Sequence, residues 1–213
     1  MRDLVGKPEF VAMLTRAIAT VRDGSDRLSE LDSAGGDGDH GITMRRAMGE
    51  VEKTLACSRD ASLHEMLLQV GWALLGIDGG ATGPLLGSFF IGMAEYVGER
   101  ESLDAEGLAE AFEAGVARLR KQSNAQIGDK TMIDALLPAV AALRSGVSAG
   151  MGVEPSLRDA AAAAARGAEA TKDFVAKFGK ARFSGERTLG HPDPGAASTA
   201  MIFRGFYEGI RIS

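Results

Sequence analysis

The sequence predicts an all-α fold, because apolar residues recur at helical spacing along nearly the whole chain while strand-like alternation is almost absent. Eight helices follow in order. Pro8 suits a first helical turn, and Phe10, Val11, Leu14, Ala17, Ile18 and Val21 form the first apolar stripe. Met44, Ala47, Met48, Val51 and Leu55 form the second. Ser62 and Glu65 have the spacing of a capping box ahead of the third, Met66, Leu67, Val70 and Leu74. The fourth follows Pro84 with Leu85, Phe89, Met93, Tyr96 and Val97. The fifth carries Leu108, Phe112, Val116 and Leu119. The sixth carries Met132, Ile133, Leu136, Val140 and Leu143, with Pro138 inside it and a kink expected there. An alanine-rich run from Ala160 makes the seventh, and Ala197, Met201, Phe206 and Ile210 make the eighth.

Whole-chain properties exclude several classes of function. A chain of 213 residues, 45% hydrophobic, can bury one substantial core, so a single domain over residues 1–213 is the expectation. A formal net charge of -5 argues against nucleic acid as a partner. The start, Met-Arg-Asp-Leu-Val-Gly-Lys-Pro, has no apolar run of the kind a secretory signal needs, and no stretch approaches the length of a membrane span. A cytoplasmic protein without membrane contact is therefore expected. The single cysteine, Cys57, cannot form an internal disulfide and reads as a passive thiol.

The chemistry concentrates in Asp32-Ser-Ala-Gly-Gly-Asp-Gly-Asp-His-Gly41, where three carboxylates share a glycine-rich loop directly before a helix. Carboxylate oxygens are hard ligands suited to Mg²⁺, which takes a few acidic groups together with phosphate oxygens and water. Two familiar motifs fit only on the surface. Gly36 to Gly41 spells G-x-G-x-x-G, yet no strand precedes it, and two acids would repel a pyrophosphate unless a cation intervened. An EF-hand starting at Asp37 would place Gly41 and Met48 at positions that must supply oxygen ligands.

Three further loops are unusual. Gly79-Gly-Ala-Thr-Gly-Pro84 offers backbone N–H donors and a hydroxyl at a helix start. Gly128-Asp-Lys-Thr131 is like the end of a P-loop but lacks its first glycine and its strand. The stretch Gly179 to Pro194 carries Lys180, Arg182, Arg187 and His191. These are connections one, three, five and seven, so in an up-and-down arrangement they lie at the same end, where several helix N-termini could face one anion. The other connections look like plain joints, and His64, just after a helix cap, is assigned no role.

Asp32 to Met44, Gly79 to Phe90, Gly128 to Leu136 and Gly185 to Ala200 together resemble the signature blocks of the nucleotide-binding L subunit of dihydroxyacetone kinase, in the same order and over essentially the whole chain. The resemblance implies an eight-helix antiparallel up-and-down barrel with a nucleotide, ADP or ATP, at one end. It implies that Asp32, Asp37 and Asp39 bind two Mg²⁺ ions bridging the phosphates. It further implies that His40, Gly41, Ile42 and Thr43 with Thr82 and Gly83 line the phosphates, and that Gly128, Met132, Asp193, Pro194 and Gly195 surround the rest of the nucleotide. No side chain of this chain need be a nucleophile; a separate K subunit would hold the ketose on a histidine. Phosphate would come from ATP or from a phosphohistidine carrier protein that recharges bound ADP, and a homodimer is expected. The chain departs from the pattern with Gly35 for a bulky aliphatic residue, Thr43 for asparagine, Thr82 for serine and Lys180 for arginine. Lysine lacks the bidentate fork, so Lys180 or Arg182 is the candidate phosphate contact. Two other readings are a kinase subunit for another ketose, such as erythrulose, and a regulatory module that binds nucleotide without turnover.

Overall fold

The structure is a computed structural model that describes residues 4–212, so the first three residues of the N-terminal stretch discussed above lie outside it. Nine α-helices occur among the described residues: α1 (Lys7–Asp23), α2 (Ser25–Ser33), α3 (His40–Cys57), α4 (Leu63–Leu75), α5 (Thr82–Val97), α6 (Ala105–Leu119), α7 (Ile133–Ser148), α8 (Val153–Ala170) and α9 (Pro194–Ile212). Two short 3-10 segments, Thr171–Asp173 and Lys180–Thr188, lie between α8 and α9. Residues Val5–Gly6 pair antiparallel with Ser102–Leu103, the one sheet among the described residues.

Packing neighbours close into a ring. Helix α1 packs on α3, α3 on α4, and so on through α5, α6, α7 and α8 to α9, which returns to α1. The eight expected staves are present. The ninth helix is α2, which begins after the bend at Gly24 and packs on α3 and α9. Its mean composition is polar, with only Ser25, Leu28 and Leu31 buried, so no apolar stripe announced it. Helix α8 starts seven residues before the alanine run, at Val153 behind Gly152. Pro138 sits inside α7 without breaking it; its missing N–H removes one bond, to the carbonyl of Asp134, in a helix packed on both sides.

Each stripe faces the barrel interior. Phe89 and Phe90 from α5, Phe112 from α6, and Phe203 and Phe206 from α9 meet edge-on or tilted, with ring centroids 5.6–6.5 Å apart. Such a cluster fills the interior with side chains and gains roughly 0.5–1.5 kcal/mol per ring pair beyond area burial. The capping box at Ser62 forms as its spacing predicts, with Glu65 N–H donating to Ser62 Oγ at 3.1 Å and Ser62 N–H to Glu65 Oε2 at 2.7 Å. His64 Nδ1 lies 2.8 Å from the Ala94 carbonyl near the end of α5, a structural contact.

Candidate functional site

The acid cluster is assembled by the end of one helix and the start of the next. Asp32 belongs to the last turn of α2, where the sequence reading put it in a loop. Its carbonyl accepts from the Gly36 N–H at 2.6 Å, which folds the chain back on itself, and its Oδ2 accepts from the His40 N–H at 3.3 Å. Asp39 stands at the N-cap of α3, where its carbonyl accepts from the Thr43 N–H at 2.9 Å but its carboxylate makes no cap bond. One oxygen each of Asp32, Asp37 and Asp39 falls within 4.8 Å of the others. At Gly41 a Cβ would stand 1.9 Å from the Ser25 carbonyl, so only glycine lets α3 start this close to α2 and bring the acids together.

One cation and a neutral imidazole flank this cluster. Lys180 Nζ pairs with Asp37, which holds that carboxyl below the usual carboxylate range and raises the ammonium. Burial keeps the His40 imidazole below its ordinary value, against the opposing pull of Asp32 and Asp39. His40 Nε2 lies 3.0 Å from Ser198 Oγ, whose hydroxyl also bonds the Gly195 carbonyl at 3.0 Å, so α3 and α9 are tied at their N-terminal ends.

The glycine loop before α5 turns through two left-handed positions, Gly79 (φ 112°) and Gly80 (φ 67°), which glycine adopts at no steric cost. Arg46 of α3 holds the loop from outside, donating to the Asp78 carbonyl at 3.1 Å. Buried Thr43 packs beneath Gly79, and Thr82 opens α5.

A second polar network surrounds the turn into α7, with Asp129, Lys130 and Asp134 buried. Asp134, 1% exposed, accepts from the N–H groups of Gly128 (2.5 Å) and Thr131 (2.7 Å). Asp129 accepts from Lys177 Nζ and the Gln126 N–H, each at 2.7 Å; Lys177 first and then that N–H hold its pKa low. Lys130, 5% exposed, donates to the carbonyls of Thr171 and His191, each at 2.6 Å. Asp193 caps α9 by accepting from the Ala196 N–H at 2.7 Å, and removal from water pushes its carboxyl up to about 7. Sequence reasoning gave Asp134 and Lys130 no role. The spacing Thr131-x-x-Asp134 is a capping-box signal that could have found the first.

The four loops enclose a cavity of about 490 Å³, in the size range of small-molecule sites. Of the residues singled out from sequence, Asp32, Asp37, Asp39, His40, Thr43, Thr82, Met132, Lys180, Asp193, Pro194 and Gly195 line it. Gly41, Ile42, Gly83, Gly128 and Arg182 are not in its wall. Ile42 is 62% exposed, Gly83 packs against the α4 end, and the Arg182 guanidinium lies over the Phe183 ring at 4.6 Å. The wall also contains Gln122, Ser123 and Asn124, which the sequence reading placed in a motif loop without a role.

This architecture, a closed helical ring with one polar rim around an acid cluster, is a shared one. Residues 34–208 match the family model of the DAK2 domain. The chain is 38% identical over 188 residues to a Listeria innocua protein, PEP-dependent dihydroxyacetone kinase 1, ADP-binding subunit DhaL, covering 88% of this chain and 89% of that one. It is 35% identical over 200 residues to the Escherichia coli PEP-dependent dihydroxyacetone kinase, ADP-binding subunit DhaL, covering 94% and 95%. The crystal structure of the dihydroxyacetone kinase of C. freundii in complex with AMP-PNP and Mg²⁺ superposes with a TM-score of 0.71 at 31% identity, over 93% of this chain and 33% of that one. The chain belongs to the DAK2 domain family, which includes the DhaL subunits of dihydroxyacetone kinases.

Proposed function

We propose that this chain is the nucleotide-binding, phosphoryl-transferring subunit of a dihydroxyacetone kinase, with MgADP as its resident cofactor. The observation that carries the reading is the convergence of three carboxylate oxygens within 4.8 Å at the mouth of a cavity entered by the N-termini of α3, α5 and α9. Uncompensated carboxylates this close repel one another, and hard oxygen donors with open positions suit Mg²⁺ together with phosphate oxygens. Asp32, Asp37 and Asp39 would hold the metal, which would supply neutralisation of phosphate charge.

The protein's own groups supply position. The starts of α3 and α5 offer N–H groups beyond the His40 N–H that Asp32 already holds, with Thr43 and Thr82 adding hydroxyls. Lys180 is the phosphate-side cation, because it lines the cavity whereas Arg182 stacks on Phe183 outside its wall. Met132 and Asp193 to Gly195 flank the remainder of the nucleotide. No group of this chain need form a covalent bond, since phosphoryl transfer runs on alignment and charge neutralisation.

The ketose is held by a separate K subunit. Exposed Ile42, Ile127, Phe178, Phe183 and Leu189 belong to the loops and first turns of this same end, and supply an apolar rim for a partner protein to cover. The phosphate donor is a phosphohistidine carrier protein that recharges bound ADP, in keeping with relatives described as ADP-binding subunits of PEP-dependent and PTS-dependent kinases. The test is to dialyse the purified chain extensively in Mg²⁺ buffer, denature it and quantify nucleotide by chromatography. About one equivalent of ADP is expected. A chain that emerges empty and binds neither ADP nor ATP on re-addition contradicts the reading.

A further inference from the structure

Lys130 stands out among the residues around the cavity because it meets three costs at once. Its backbone is left-handed, φ 60°, the only non-glycine among the described residues with positive φ, in a region that disfavours residues with a Cβ by roughly 1–2 kcal/mol. Its side chain is buried, and burial lowers its ammonium pKa despite the fields of Asp193, Asp134 and Asp173. A long flexible side chain is immobilised. Glycine would make the same turn without any of these costs, so the ammonium itself must contribute something the turn does not need.

Its contacts show what that is. One Nζ–H bonds the carbonyl of Thr171, just past the end of α8, and another bonds the carbonyl of His191, two residues before Asp193. The Asp193 N–H donates in turn to Thr171 Oγ1 at 2.7 Å. Two residues beyond Lys130 is Met132, at the start of α7 and in the cavity wall. A Cβ on Gly195 would stand in van der Waals contact, 3.5 Å, with both the Met132 nitrogen and Thr82 Oγ1, so the starts of α5, α7 and α9 meet there. Lys130 thus pins the entries of α7 and α9 to the end of α8.

We infer that Lys130 is a positioning residue for nucleotide binding, its ammonium fixing the Met132 wall and the Asp193–Gly195 wall at the separation a bound nucleoside diphosphate requires. The inference rests on the nucleotide reading above and extends it to a cavity-wall residue whose ammonium bonds backbone carbonyls. A merely structural lysine would lower stability and leave affinity intact in whatever fraction folds.

The experiment compares wild type, Lys130→Met and Lys130→Gly in the full chain, stripped of nucleotide, by calorimetric titration with ADP in saturating Mg²⁺ and by melting without ligand. Methionine keeps the stem and removes the charge, whereas glycine also relieves the left-handed backbone, so the two variants differ in stability but share the missing ammonium. Both are expected to bind MgADP at least about tenfold more weakly, with Lys130→Gly melting closer to wild type than Lys130→Met. If either folded variant, judged by helical circular dichroism, binds within twofold of wild type, Lys130 has no positioning role. A wild-type chain that fails to bind MgADP overturns the nucleotide reading and this inference with it, whereas tight binding by wild type and both variants overturns this inference alone.

Discussion

In the acid loop Asp32, Asp37 and Asp39 crowd together with a single lysine for compensation, and the pair Lys180–Asp37 is largely exposed. At the turn into α7 Asp134 and Lys130 are buried, and their bonds to backbone N–H and carbonyl groups satisfy charge with fixed dipoles. The first is electrostatically incomplete by itself; the second is complete before anything binds. Open coordination leaves room for a metal and phosphate oxygens, while a prebuilt wall keeps the ordering cost of binding low. The acid loop should therefore respond strongly to ligand and weakly to mutation in the free state, and the buried network the reverse.

The largest effect expected on this contrast is Asp37→Asn. It should lower phosphoryl transfer, assayed in the complete kinase, by more than about a hundredfold, because metal neutralisation of the phosphates supplies several kcal/mol of transition-state stabilisation. Stability without ligand should hardly change, since the substitution loses an exposed ion pair and relieves repulsion among the acids. A variant that retains activity, or that unfolds, would erase the distinction between the acid loop and the buried network.

Next comes Asp134→Ala, whose cost should appear in the free chain. Removing the carboxylate leaves the Gly128 and Thr131 N–H groups without their partner at the start of α7, so urea unfolding should report a loss of about 2–3 kcal/mol. A loss below about 0.5 kcal/mol would mean that this wall is not prebuilt.

A smaller, pH-dependent effect belongs to Asp193. Its folded pKa of about 7 lies above the unfolded value of about 3.9, so the folded state binds the proton more tightly between those values. Stability contributed by this carboxyl is present at low pH and lost as pH rises toward 7. His40 works the other way, its depressed folded pKa costing stability as pH falls below about 6.5. The two overlap, so the informative quantity is wild type minus Asp193→Asn, which keeps the cap acceptor and removes the titration. That difference should shift in favour of wild type as pH is lowered from 7 to 4.5, and a difference flat across this range would show that Asp193 is not held uncharged.

The helical ring and the gathering of four loops at one end were legible because both follow from periodicity: apolar stripes at helical spacing give staves, and alternate connections of an up-and-down chain share an end. Helix α2 was not legible, since only three of its nine residues are buried and its polar face looks like loop. Asp32 was consequently recognised as a ligand candidate and misplaced into a turn. In the wall at the starts of α7 and α9, Met132 and Asp193 were found through motif blocks, yet Asp134 hid among the apolar residues of α7 and Lys130 stood only as part of a P-loop-like stretch with no role of its own. A left-handed backbone and a pair of acceptor carbonyls 41 and 61 residues away leave no mark in local sequence. Buried polar networks depend on tertiary proximity, which a stripe of apolar residues does not encode.

The most direct test of the open acid loop as the metal site is a set of four melts of the nucleotide-stripped wild-type chain, with no ligand, Mg²⁺ alone, ADP with chelator, and both together. Because the loop leaves its coordination to be completed by phosphates, the combined shift should far exceed the sum of the separate ones. It should reach about 5–10 °C at ligand concentrations about a hundredfold above the dissociation constant. If ADP with chelator stabilises the chain as strongly as ADP with Mg²⁺, Asp32, Asp37 and Asp39 do not hold the metal.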